Sequence, residues 1–290
     1  MFDWENIRHF LAVARIGTLS GAARNLKVDH ATVSRRLSAL EDEIQTRLVD
    51  RLPRSCRLTP AGQRVFELAQ GMEDGAFAIG RFLDTSRSPL SGKVTVSAPP
   101  VLVANFLVTR LTDFRQANPG VQISVSGEPR QVSLSRREAD VVLRLARPEE
   151  PASVVRKLGR LSFALYASRD YPHLHTPSAW EFIGYDASLA DMPQQKWLAS
   201  VAGTRPIACE IGDINGHLAA AQAGAGVAGL PMFVADGDTR LQRVPHDGEP
   251  FSREIWMAVH RDLRSAPHIR AVMDFLIKIV GENPAFATGG

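Results

Sequence analysis

Four apolar residues, Val33, Leu37, Leu40 and Ile44, recur at i, i+4, i+7 and i+11, the spacing that lays a single stripe along an α-helix. A helix patterned in this way cannot stand alone. Other elements must cover the stripe, and the covering decides which face remains for water or a partner. At about 100° per residue, the face opposite the stripe carries Arg35, flanked by Ala31, Ser34 and Ser38, with Arg36 on the shoulder. A helix that is merely wet is more typically studded with Glu and Lys. Short side chains around one long cation instead let the backbone come close to a second surface.

The preceding residues complete a pattern. Phe10, Leu11 and Ala14 sit at helical spacing, and Gly17–Thr18 breaks that run. Ser20 is then expected to cap a short helix, "GAARNL", whose small residues allow a close helix crossing. "KVD" reads as a tight turn and Asp29 as the cap of the striped helix. Helix, three-residue turn and helix make a helix-turn-helix, whose second helix reads the DNA major groove with its N-terminal side chains. Arginine is the commonest guanine reader. On this reading Arg35, Ala31, Thr32 and Ser34 face bases, while Ser20, Arg36 and Ser38 hold phosphates. His30 fits either a base or phosphate contact or a water-facing helix start. "RLPRSCRLT" is expected to form a hairpin wing with the phosphate-holding Arg54 near its tip. The charge agrees: residues 1–60 hold ten Lys/Arg against seven Asp/Glu, and residues 93–290 hold 21 against 20, so the net +3 sits at the N-terminal end. A locally basic segment in a nearly neutral chain points to a polyanion such as double-stranded DNA.

From Pro60 the pattern changes. Thr59 and Pro60 suit the start of a helix, in which Val65, Ala69, Met72, Ala76, Ile79 and Leu83 alternate steps of four and three, a heptad seam. No element nearby in sequence is expected to cover this seam, so a dimerising linker helix is favoured over a helix packed on its own domain. Interior Gly71, Gly75 and Gly80 weigh the other way. "SRSPLSGK" marks a boundary. Beyond it "KVTVSAP", "VQISVSGE", "DVVLRLA", "LSFALYAS", "IACEIGD", "GVAGLP" and "REIWMAVH" read as strands. "FLVTRLTDFRQANPG", "SRREAD", "NGHLAAAQAG" and "HIRAVMDFLIKIV" read as helices. The alternation predicts an α/β fold with largely parallel sheets, and the number of strands suggests two subdomains. Trp4, Trp180, Trp197 and Trp256 are expected as core or interface anchors.

Several function classes recede. Gly224, Gly226 and Gly229 satisfy G-x-G-x-x-G and keep an NAD(P)-dependent oxidoreductase as the alternative function. That pattern requires a strand before and a helix after, however, and here the order is reversed. The eight histidines are scattered and the close pair His173 and His175 has no ligand partners at metal spacing, so neither a metal nor another cofactor is expected. No G-x-S-x-G elbow appears, so no catalytic residues are assigned. Cys56 and Cys209 match no disulfide or metal pattern. The segment "MFDWENIRHF" lacks the charge and apolar run of a signal peptide, and no stretch approaches the roughly 20 apolar residues of a membrane helix, so a cytoplasmic protein with no membrane partner is expected. In open α/β folds ligands sit beyond the strand ends. Ser97 and "APP" end the first strand, Gly127–Pro129 the second, and Arg144 stands at the end of "DVVL", where it could grip a carboxylate or serve at a surface or subunit contact.

"FLAVARIGTLSGAARNL", "ATVSRRLSALEDEI" and "RLPRSCRLTPAGQ", in that order and spacing, resemble the N-terminal domain of LysR-type transcriptional regulators. The chain departs from that pattern at His30–Ala31, where the family often carries Gln-Pro, which bears on the preferred base sequence. The resemblance implies a winged helix-turn-helix over residues 1–60 and a linker helix over 61–88 that pairs two subunits. It also implies an effector-binding domain over 93–282 with two α/β subdomains, periplasmic-binding-protein-like (type II). The implied cleft between lobes involves Ser97, Pro99, Pro100, Gly127, Glu128, Arg144, Phe163, Asp213 and Asn215. The function expected is a DNA-binding regulator, a homodimer or homotetramer, modulated by a small anionic effector.

Overall fold

The computed structural model describes residues 3–52, 55–85, 90–127, 133–134, 138–150 and 152–287, which fall in two compact units, Met1–Leu83 and Asp84–Gly290.

The first unit opens with α1 (Trp4–Ile16), whose start is capped by the Asp3 carboxylate. The chain leaves α1 through Gly17 in the left-handed region, and the extended Thr18 then caps α2 (Leu19–Leu26) by accepting the Gly21 amide at 3.1 Å. The expected cap at Ser20 is thereby corrected: Ser20 lies inside α2, exposed, because the break ends one residue after Gly17. Asp29 caps α3 (His30–Glu43) as expected, accepting from the Thr32 amide at 2.6 Å. The stripe is covered: Val33, Leu37 and Leu40 are buried in a core with Phe10, Leu11 and Val13 of α1 and Ala22 of α2, and Ile44 packs at its edge. At ~1.5–3 kcal/mol per fully buried side chain of this size, that stripe dominates the orientation of α3.

Strands β1 (Val49–Leu52) and β2 (Ser55–Leu58) pair antiparallel as the expected hairpin. The Cys56 amide donates to the Gly17 carbonyl at 2.6 Å, which ties the hairpin to the end of α1. Its tip, with Arg54, lies outside the described residues. Thr59 caps α4 (Pro60–Thr85) through the Gly62 amide at 2.9 Å. The seam of α4 then divides. Val65 and Ala69 pack into the core of their own unit, and Glu73 forms a two-pronged ion pair with Arg15 of α1. The expectation that nothing nearby covers the seam is therefore corrected for its first two positions. Met72 and Ile79 remain 49% and 65% exposed, Ala76 is exposed, and the Leu83 side chain lies outside the described residues.

The second unit is built from β3 (Gly92–Ala98), α5 (Pro100–Leu102), α6 (Leu111–Ala117), β4 (Val121–Gly127), β5 (Val141–Arg144), β6 (Ser153–Ser168), β7 (Phe182–Gly184), α7 (Pro193–Ala202), β8 (Ile207–Glu210), α8 (Ile214–Gln222), β9 (Ala228–Pro231), α9 (Met232–Ala235), β10 (Leu241–Val244), β11 (Phe251–His260) and α10 (Pro267–Gly281). A π turn at Val103–Leu107 and a 3-10 turn at Val108–Arg110 join α5 to α6. The expected "SRREAD" helix falls partly outside the described residues, and Glu138–Asp140 are not helical.

The sheet runs β10-β6-β11-β5-β3-β4, with β9 also on β6. Pairs β3–β4 and β3–β5 are parallel, as is β7–β8 in a separate two-stranded sheet; β11 runs antiparallel to both β5 and β6, and β6 antiparallel to β9 and β10. The expected largely parallel sheet is corrected accordingly. The cause is β6: at 16 residues it pairs with β11 along its first part and with β9 and β10 at its end, so β6 and β11 cross between two lobes. The first lobe carries β3–β5; the second carries β7–β10 with α7–α9. Trp180 and Trp197 are core residues, Trp4 packs at the edge of the N-terminal core, and Trp256 is half-buried. Among the described residues no helix is long and apolar enough to cross a membrane.

Gly62 sits where the first turn of α4 meets the backbone of Leu48, and a Cβ there would overlap the Leu48 carbonyl oxygen. Gly71, on the same helix, faces open space. Gly62→Ala is expected to destabilise the N-terminal unit by ~1–3 kcal/mol. Gly71→Ala should leave stability unchanged or raise it by up to ~1 kcal/mol. Urea unfolding followed by circular dichroism distinguishes the two.

Candidate DNA-binding face and effector cleft

Because the stripe of α3 faces inward, its opposite side is turned to solvent. His30, Ala31 and Arg35 are exposed, and Thr32, Ser34 and Ser38 are half-buried beside them. Arg35 makes no hydrogen bond or ion pair among the described residues, which sets it apart from its neighbour. The Arg36 guanidinium donates to Asp3 at 2.8 Å and to Asn6 at 3.2 Å, both at the start of α1. The adjacent arginines thus have divided tasks in this structure: Arg36 ties α3 to α1, while Arg35 projects alone.

A further arginine enters this face that residue spacing in α3 could not reveal. Arg51 of β1 reaches back to donate to Ser34 Oγ at 3.2 Å and Ser38 Oγ at 2.8 Å. Its third partner is Glu41, whose carboxylate lies at 3.7 Å and accepts the Leu48 and Val49 amides at 2.8 and 3.0 Å. Glu41 therefore fixes the entry of the hairpin against α3, and Arg51 clamps the two serines. The signal was the basic run "RLPRSCR", which contains Arg51; its contacts depend on the hairpin folding back.

Asp29 is acidic in the middle of this basic face, and its carboxyl is held below the usual carboxylate value, first by the Thr32 amide and next by the Thr32 hydroxyl. A depressed carboxyl contributes stability that is fully present above its unfolded value, 3.8, and is lost as pH falls through the folded one. The stability difference between wild type and Asp29→Ala is therefore expected to shrink as pH falls from 5 towards 3 in chemical denaturation.

In the second unit a cavity of about 700 Å³ opens between the lobes. Of the expected cleft residues, Pro99, Pro100, Arg144, Phe163 and Asp213 line it. Ser97, Gly127 and Asn215 do not, and Glu128 lies outside the described residues. Ser97 is buried, and Arg144 is turned onto it, donating to its carbonyl and hydroxyl at 3.1 Å each and to the Leu143 carbonyl at 2.7 Å. Gly127 packs against Pro100. Asn215 accepts a hydrogen bond from Asn105 at 3.1 Å, and Asp213 caps α8 through the Asn215 and Gly216 amides at 2.9 and 3.0 Å.

The residues missed in this cleft come from the second lobe and from β11. Tyr185 is buried, with its phenol pushed up first by that burial, and its ring rests on buried His217 at 4.1 Å between centroids. Burial pushes the His217 imidazole down, and its Nε2–H donates to the Ile211 carbonyl at 3.0 Å. Gln194 and Arg253 face each other across 3.0 Å. No run of local sequence announces Tyr185, Gln194 or Arg253, because the Tyr185–Gln194 stretch meets β11 only in the folded chain. Among the described residues no group of three or more His, Cys, Asp or Glu side chains gathers as metal ligands.

The Gly224–Gly229 pattern has a structural explanation. It follows α8 and leads into β9, the order opposite to a dinucleotide fingerprint. Gly226 has φ +154, and a Cβ on it would stand 2.6 Å from the Glu181 carbonyl oxygen; one on Gly229 would stand 2.7 Å from the Trp197 ring. These glycines serve close packing.

A winged helix-turn-helix with a cation-bearing, exposed second helix, carried with a two-lobed domain that encloses a ligand-sized cavity, defines a ligand-responsive DNA-binding regulator as a class. Residues 4–63 match the family described as "Bacterial regulatory helix-turn-helix protein, lysR family", and residues 87–279 match "LysR substrate binding domain". The chain belongs to the LysR-type transcriptional regulators, and not to an enzyme family. It is 25% identical over 297 residues to the HTH-type transcriptional regulator YhjC of Escherichia coli, covering 94% of this chain and 96% of that one. It is 24% identical over 283 residues to the mau operon transcriptional activator of Paracoccus denitrificans, covering 98% of each. Its fold is similar to that of AphB, the Vibrio cholerae virulence activator, with TM-score 0.62 at 22% identity over 96% of this chain and 99% of that one.

Proposed function

We propose that this regulator binds its operators as a homodimer, or a tetramer built from dimers, with Arg35 of α3 as the principal base reader. The supporting observation is the exposed Arg35 side chain, without a hydrogen bond or ion pair among the described residues and flanked by the short Ala31 and Ser34. A guanidinium so presented can take guanine O6 and N7 together in the major groove. Thr32 and His30 stand at the same helix start. Ser20, Ser38, Arg36 and Arg54 carry phosphate contacts, and Arg51 supports Ser34 and Ser38 from behind. Arg36 would exchange its surface pair with Asp3 for a phosphate, a small loss because exposed pairs contribute only ~0–1 kcal/mol. The exposed Met72, Ala76 and Ile79 of α4, with Leu83, form the subunit contact, while Val65 and Ala69 anchor the helix to its own domain.

The cavity of the second unit takes a small anionic effector, in keeping with its arginines. Closure of the lobes on that effector shifts the population between two arrangements of the dimer, which changes how the paired α3 helices fit successive major-groove faces. The protein works in the cytoplasm, where its DNA is.

Arg35→Ala is expected to weaken operator binding by ~1–3 kcal/mol and to relax the preference at one base pair. Fluorescence anisotropy against an operator series checks both. Retention of full affinity and selectivity would remove Arg35 from the base-reading role. Affinity of the wild type should also fall steeply with salt as phosphate contacts release counterions.

A further inference from the structure

Six charged side chains border the cavity among the described residues: Arg144, Arg147, Arg253, Glu149, Glu150 and Asp213. Most are already engaged or face water. Arg144 is turned onto Ser97, and Asp213 caps α8. Glu150 accepts the Ser133 hydroxyl at 2.8 Å and the Leu134 amide at 2.9 Å. Arg147 and Glu149 are exposed, with Arg147 leaning over the Trp256 ring.

Arg253 is different. It lies on β11, two residues before the register shift at Ile255/Trp256 where that strand crosses between the lobes. Its Nε donates to the Leu145 carbonyl at 3.0 Å, just past β5 of the first lobe. One terminal nitrogen donates to Gln194 Oε1 at 3.0 Å, on α7 of the second lobe. Both acceptors are neutral. No carboxylate stands within ion-pair distance of Arg253 among the described residues, and its other terminal nitrogen has no partner there. Burial without a compensating charge pushes the guanidinium below its usual value, and a guanidinium in a protein keeps its proton. A half-buried cation left uncompensated is costly, and a carboxylate that pairs with it relieves that cost. The walls around it are apolar: Pro99, Pro100, Phe163, Leu189, Met192 and the Tyr185 ring.

We propose that Arg253 holds the charge of the cavity's ligand, and that this ligand is a monocarboxylate on an apolar or aromatic body, its carboxylate seated where the two lobes join. The inference rests on reading the cavity as the effector site and deepens that reading. Arg253, bonded to a neutral acceptor of each lobe, offers one cation to one negative charge. A second carboxylate on the same ligand would meet Glu149, Glu150 or Asp213, so the cavity selects against dicarboxylates.

Isothermal titration calorimetry on the full chain tests this with benzoate, phenylacetate and hexanoate, their amides, and phthalate. The expected result is saturable binding of at least one monocarboxylate, with its amide and phthalate at least tenfold weaker. Arg253→Gln should lose at least tenfold in that affinity, Arg253→Lys should lose less, and Arg264→Gln, exposed and outside the cavity lining, should stay within twofold. If Arg253→Gln fails to fold by circular dichroism, Arg253→Lys decides, and wild-type affinity in it counts against the proposal. Binding of none of the acids, equal binding of acids and amides, or undiminished binding by Arg253→Gln overturns it. The effector reading fails separately: a carboxylate held by Arg253 that leaves operator affinity unchanged supports the anion site while removing its regulatory role.

Discussion

The orientation of α3 depends on one burial event. Val33, Leu37 and Leu40 are driven against Phe10, Leu11 and Val13, and the helical period does the rest by turning Arg35 outward. Everything proposed for DNA contact follows from that rotation. Slipping the stripe by one residue would turn the helix by about 100° and carry Arg35 toward the core, where an unpaired guanidinium is not tolerated. Packing and recognition are thus a single constraint read from two sides of one helix.

The supports around α3 are polar and local. Asp29 holds its start, Glu41 collects the Leu48 and Val49 amides at its end, and Arg51 reaches across from the hairpin to Ser34 and Ser38. Helix α4 is locked to the same unit by Val65, Ala69 and the Arg15–Glu73 pair, while Met72 and Ile79 stand exposed. Under the mechanism proposed above, a displacement of α4 would pass to the helix-turn-helix through these contacts. In the second unit, β6 and β11 serve both lobes, so Arg253 on β11 stands where the lobes join, bonded to Leu145 on one side and Gln194 on the other.

Much of the N-terminal unit could be read from sequence because its determinants are local. The stripe, the Asp29 and Thr59 caps and the hairpin each follow from residues a few positions apart. The Ser20 cap failed because Thr18 and Ser20 are chemically equivalent caps, and only the left-handed Gly17 decides between them. Strand–helix alternation matches the parallel pairs β3–β4, β3–β5 and β7–β8 but says nothing about a 16-residue strand shared between lobes, so the antiparallel pairing along β6 and β11 was not legible. In the cleft, Pro99, Pro100, Arg144, Phe163 and Asp213 were found through strand ends and family resemblance. Tyr185, Gln194 and Arg253 were not, since each reaches the cavity through tertiary packing alone. Arg144 also lines the cavity, but its bonds to Ser97 could not be read from sequence, because they form only once β3 and β5 lie side by side.

The most direct test of the central claim is methylation interference on an operator, comparing wild type with Arg35→Ala. Methylation of guanine N7 blocks a major-groove arginine at that base. In the wild type, the account predicts interference at a discrete guanine in each half-site, and loss of that interference in the variant while the remaining pattern persists. An unchanged pattern in the variant would mean that the exposed face of α3 does not read DNA through Arg35.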